Sequence, residues 1–125
     1  MKKSIIIVTA LLLILVVNAQ TVPQTIKGIN IEPHDSAWYA EQSAAWLKEA
    51  KQDPKNELAW KNYFMATMYM ANCSEEDTTS VDAAMNLLEE NIKDTYTYNY
   101  SKYRQLRVKP DVPVCEVDRY AYKAM

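Results

Sequence analysis

The segment from Ser36 to Ala71 constrains the fold most, because it admits little besides two helices joined by a tight turn. Pro33 excludes helix before it, and Asp35 or Ser36 can cap the start of a helix by accepting a hydrogen bond from a free backbone N–H. Tyr39, Ala40, Ser43, Ala44, Trp46, Leu47 and Ala50 then share one broad face at helical spacing. Glu41, Gln42, Lys48, Glu49 and Gln52 fall on the other. Asp53-Pro54-Lys55-Asn56 ends this helix, since proline lacks the N–H and clashes with the preceding turn. Asn56 can cap a second helix, Glu57 to Ala71, which carries Trp60, Tyr63 and Phe64.

The second helix differs in kind. Its apolar residues go all the way round, and only Lys61, Asn62 and Thr67 interrupt them. Such a helix wants neighbours on several sides. A third helix, from Ser80 to about Ile92, offers one with the stripe Val81, Ala84, Met85, Leu87, Leu88 and Ile92. The stretch after Asp94 carries two periods at once. Tyr96, Tyr98 and Tyr100 alternate as in a strand, while Tyr96, Tyr100 and Tyr103 have the i, i+4, i+7 spacing of a helix. Its helical neighbours favour helix. A single glycine, Gly28, suits an all-α chain better than a sandwich or barrel, whose turns need glycine.

The N-terminus reads as an address. Lys2 and Lys3 precede a mostly apolar run, Ser4 to Val17, and then Val17-Asn18-Ala19 meets Gln20. That pattern predicts a signal peptide over 1–19, cleaved between Ala19 and Gln20, and an exported product, periplasmic or secreted. The run is shorter than the roughly 20 residues of a span, so no stable membrane span is expected after cleavage. Cleavage there removes Lys2 and Lys3 and no acidic group, which takes the net charge from −2 to −4. That balance argues against nucleic acid as a partner. Residues 20–35 read as an extended leader, 36–107 as one helical-hairpin domain, and 108–125 as an irregular tail broken by Pro110 and Pro113. Glu116 to Ala124 can form a last short helix within it.

"DPKNELAWKNYFMATMY" resembles the junction between tetratricopeptide repeats, in which an Asp-Pro-x-Asn turn is followed by Ala-Trp and an aromatic residue one turn later. Trp60 stands where that family puts its first large aromatic, Pro54 at the repeat-ending proline, and Trp46 in the aromatic slot of the preceding helix. The pattern departs at Phe64, where the family has a small residue, in the spacing from Ala50 to Pro54, which is one residue short, and in the longer loop before Ser80. The match covers about 30 residues, with a weaker echo from Asp82 to Tyr103, and is similar to the first hairpin of some secreted bacterial repeat proteins. The resemblance implies antiparallel helical hairpins and a non-enzymatic scaffold for a protein or peptide. Self-association remains an alternative, as does a piece of a longer array, because one repeat cannot bury its own face.

Nothing in the chain assembles a catalytic set, and no cofactor is expected. His34 beside Asp35 is a lone pair in a proline-flanked leader, and one His with two isolated Cys has no metal-ligand spacing. In an oxidising compartment Cys73 and Cys115 can pair or remain two thiols. Tyr63, Met65, Met68, Tyr69 and Met70 are the candidate interaction surface, with core filling as the alternative. Asp35-Ser36-Ala37 and Asp77-Thr78-Thr79 resemble an O-glycosylation triplet of exported bacterial proteins, which makes Ser36 and Thr78 candidate acceptors.

Overall fold

The computed structural model describes residues 34–73 and 79–125. The predicted signal segment, the Ala19–Gln20 cleavage pair, most of the leader and Thr78 lie outside the described residues. Those residues form five helices and, among them, no strand: α1 (Ser36–Gln52), α2 (Glu57–Asn72), α3 (Thr79–Ile92), α4 (Tyr96–Arg107) and α5 (Val114–Lys123).

Local chemistry sets these boundaries. The Asp35 carboxylate accepts from Trp38 N at 2.9 Å and opens α1. Asn56 Oδ1 accepts from Ala59 N at 3.2 Å and opens α2. Between them Asp53 folds the turn: its carboxylate accepts from Lys55 N at 3.2 Å and its carbonyl from Asn56 N at 3.0 Å. The Trp60 indole N–H then donates back to the Pro54 carbonyl at 2.9 Å, which fixes the turn to the first turn of α2. Thr95 joins α3 to α4. Its hydroxyl donates to the Ile92 carbonyl at 2.7 Å and accepts from Tyr98 N at 3.1 Å. Asp94, just before it, has φ 65°, a left-handed conformation that Asp tolerates better than most residues.

The helices pair as antiparallel hairpins. Tyr39 meets Tyr69 with ring centroids 5.4 Å apart, and Ser43 Oγ lies 2.8 Å from Thr67 Oγ1, so positions rise along α1 as they fall along α2. Asp82 near the start of α3 meets Gln105 near the end of α4, and Tyr98 early in α4 meets Tyr120 late in α5. α2 is the centre of the molecule. It is covered by α1, α3 and α4, and among the described helices the second hairpin meets the first through α2.

That arrangement corrects the expected interaction surface. Tyr63, Met65 and Met68 are each only 7% exposed and belong to the core with Trp46, Trp60, Phe64, Met85 and Leu88. Tyr69 and Met70 are half-buried. The physical reason is α4. One neighbouring hairpin helix would leave the far side of α2 in water, whereas α3 and α4 together close it. The face of α1 is also narrower than its periodicity suggests: Tyr39, Ser43, Trp46 and Ala50 are buried, while Ala40 and Ala44 are exposed.

The C-terminal segment is not irregular throughout. Residues 108–113, with both prolines, form a non-helical link, and α5 begins at Val114, two residues before the expected helix. α5 lies on α4, with Tyr120 edge-on to Tyr98 at 6.5 Å. Cys73 and Cys115 are both exposed free thiols, so the two cysteines do not pair in this structure. Cys73 Sγ instead donates to the Tyr69 carbonyl at 3.3 Å, one turn back.

Candidate interaction surface

α4 carries the arrangement with the clearest chemical consequence. A helix on a globular core buries its apolar stripe and exposes its polar one. α4 largely inverts that rule. Thr97, Asn99, Ser101 and Gln105 are buried, with Tyr98 and Leu106 the only large apolar groups on the inner side. Tyr96 is 59% exposed, Tyr100 and Tyr103 are half-buried, and Arg107 is exposed. Positions 96, 100, 103 and 107 recur at helical spacing and so fall in one line along the outer face.

The inward polar groups are satisfied only in part: Asn99 Oδ1 and Gln105 Oε1 have no hydrogen-bond partner in the protein, while the two amide nitrogens do. Asn99 Nδ2 donates to the Thr95 carbonyl at 3.0 Å. Gln105 Nε2 donates to the Asp82 carboxylate, which also receives Lys109 Nζ at 2.8 Å. The hydrogen bond from Lys109 is the chief reason that the Asp82 carboxyl is held below its usual range, against a smaller opposing effect of burial. This tie joins the start of α3 to the far end of α4 and leaves the tyrosines outside.

Those tyrosines form a continuous strip. The Tyr96 and Tyr100 rings are parallel within 6° at 6.0 Å, and Tyr100 meets Tyr103 at 6.5 Å. The Arg104 guanidinium lies 5.9 Å from the centroid of the Tyr100 ring and donates to its hydroxyl at 3.2 Å. Charge along the strip is one-sided. There is no Asp or Glu from Thr95 to Pro110, while Lys102, Arg104, Arg107 and Lys109 fall in the C-terminal half, Lys109 being held by Asp82. Before the N-terminal end come exposed Glu89, Glu90 and Asp94 together with exposed Lys93, whose ammonium lies 3.9 Å from the Glu89 carboxylate.

Tyr98, on the inner side, feels the charges of Glu89 and Asp94. Its hydroxyl pKa is pushed up to about 12, first by burial and then by the charge of Glu89, with Tyr120 and Asp94 adding to it. Burial also pushes the Tyr63 hydroxyl up. An unfolded tyrosine loses its proton near 10. Above that pH the unfolded chain binds fewer protons than the folded one, so stability falls as pH rises through the interval up to about 12. Alkaline unfolding followed by circular dichroism should therefore be shallower in Tyr98→Phe than in the parent. Equal slopes would mean that Tyr98 ionises alike in both states.

The remaining candidates resolve into structure. His34 stacks on Trp38 at 3.7 Å and joins Tyr39 in an aromatic cluster, while the Asp35 carboxylate is engaged in capping, so His34 and Asp35 form no acid–base pair. Trp46 and Trp60 are core rather than groove, and only Trp38 is half-exposed. Ser36 is exposed at the first position of α1. Among the described residues no three His, Cys, Asp or Glu side chains come together as a metal site. No described helix is long and apolar enough to cross a membrane. No family model matches the chain, and neither the curated proteins nor the solved structures contain a match.

Proposed function

We propose that this chain is an exported, non-enzymatic helical scaffold of tetratricopeptide-like character, which binds a protein or peptide through the outer face of α4. The inversion of α4 carries this reading: tyrosines and arginines stand outside while amides and hydroxyls are buried. Tyrosine and arginine are the residues that dominate protein-binding surfaces, because they offer large contact area and hydrogen bonding together. A helix whose only task was to close the core would gain more by turning its rings inward, at about 25 cal/mol per Å² of apolar area buried.

A selection from a displayed random-peptide library tests the reading. The parent should enrich defined sequences. A variant with Tyr96→Ser, Tyr100→Ser and Tyr103→Ser should lose that binding while keeping its helical circular dichroism. Equal enrichment by parent and variant would remove α4 from the binding face.

A further inference from the structure

We infer that α5 is a detachable strap, which undocks from α4 about a hinge at residues 110–113 while the other described helices stay folded. α5 touches α4 alone among the described helices. None of its ten residues is buried, and only Ala124, just past its end, is. α1 also has a single neighbour, but it buries Tyr39, Ser43, Trp46 and Ala50. The core cluster is built from side chains of α1 to α4, and α5 reaches it only through half-buried Tyr120. Leu106 and Ala124 are buried but stand outside that cluster. An element held by so few buried apolar groups opens at a lower free energy than the core does.

Tyr120 is the anchor of the strap. Its ring stands edge-on to Tyr98, the aromatic partner across the seam. The Arg119 guanidinium and the Lys123 ammonium lie 5.2 and 5.7 Å from the same ring. Both cations belong to α5, so those contacts travel with the helix and do not hold it to α4. The helix also has little stability of its own. Ten residues are fewer than the roughly 12–15 that an isolated helix needs in water. Pro113, at its start, supplies no side-chain cap. Undocking therefore melts α5, and docking and helix formation are one cooperative step.

The hinge has a defined near end. Lys109 Nζ is held by Asp82 at 2.8 Å, and Lys109 N donates to the Leu106 carbonyl at 3.0 Å. Beyond it Asp111 is exposed, and Pro110 and Pro113 have no backbone N–H with which to tie the link down. Opening uncovers the inner edge of α4 at Tyr98, which is 4% exposed with the strap in place. The strap thus sets whether α4 offers its surroundings one face or two, whatever the outer face binds.

Amide hydrogen exchange of the full protein, followed residue by residue, is the test. The amides of α5 should exchange at least about tenfold faster than those of α2. Low denaturant should speed exchange in α2 and leave α5 nearly unchanged, because a local opening exposes little surface. Tyr120→Ala should abolish the protection of α5. α2 should then lose no more than the factor by which α5 was protected in the parent. Tyr120→Phe keeps the ring and should keep most of that protection. Equal protection of α5 and α2 in the parent, or a common response to denaturant, means that α5 opens only with the whole molecule and overturns the inference. A Tyr120→Ala protein in which α2 loses far more protection than α5 had makes Tyr120 part of the global core, and overturns it as well.

Discussion

Trp60→Ala should remove the cooperative unfolding transition, or lower its midpoint by tens of degrees. Trp60 is 1% exposed and is the largest of the fully buried side chains. It packs edge-on to Tyr63 at 6.2 Å, in the cluster that also holds Trp46 and Phe64. Truncating a buried tryptophan costs about 3–5 kcal/mol. A small domain has only about 5–15 kcal/mol in total. The indole has a second task, since its N–H holds the Pro54 carbonyl and so ties the turn to α2. Trp60→Phe separates the two. It keeps most of the buried ring, and loses that hydrogen bond, worth about 0.5–1.5 kcal/mol net, together with the outer part of the indole. Thermal melts should order parent, Trp60→Phe and Trp60→Ala, with the larger gap between the last two. A Trp60→Ala protein that melts within a few degrees of the parent would show that the first hairpin does not depend on this ring.

Much of the fold is legible in the sequence because local signals and tertiary packing agree. Asp35, Pro54 and Asn56 mark the ends of α1 and the start of α2 by chemistry that acts within four residues. The stripe from Val81 to Ile92 supplies Ala84, Met85, Leu88 and Ile92 to the core as its period requires. The candidate site was legible only in part. The i, i+4, i+7 spacing of Tyr96, Tyr100 and Tyr103 identifies a helix and groups those rings on one face, but periodicity does not say which face turns inward. The choice is made by long-range partners: Asp82 on α3 takes hold of Gln105 and Lys109, and Tyr98 packs on Tyr120. For the same reason periodicity left Tyr63, Met65 and Met68 open between core and interaction surface, and the structure places them in the core. Their burial depends on α4, more than thirty residues along the chain. Net charge was also too coarse a measure, because an acidic total conceals a run from Thr95 to Pro110 with four cations and no anion. The absence of Asp and Glu from that run was the signal available for the proposed face.

Asn62 tests the core from the opposite direction, and here a substitution should stabilise the protein. Asn62 sits in α2 at 0% exposure, flanked in sequence by Lys61 on the solvent side and Tyr63 in the core. Neither its Nδ2 nor its Oδ1 has a hydrogen-bond partner in the protein. Thr67, the other polar residue buried in the same helix, shows the contrast. Its hydroxyl donates to the Tyr63 carbonyl at 2.9 Å and lies 2.8 Å from Ser43 Oγ. A buried polar group without a partner costs about 1–3 kcal/mol in lost hydration. Leucine has the branching and heavy-atom count of asparagine, though a larger volume, and it brings no polar atom into the core. It is also the better helix former. Asn62→Leu should therefore raise the stability by about 1–2 kcal/mol, a shift of several degrees in melting temperature for a domain of this size. Thr67→Val, made in parallel, should lower it, because it breaks a satisfied pair and strands Ser43. The two substitutions are similar in chemistry and opposite in expected sign, so overpacking or a general preference for apolar cores cannot account for both. An Asn62→Leu protein less stable than the parent, with Asn62→Ala destabilised as well, would show that the amide does not cost the fold what its lack of a partner implies.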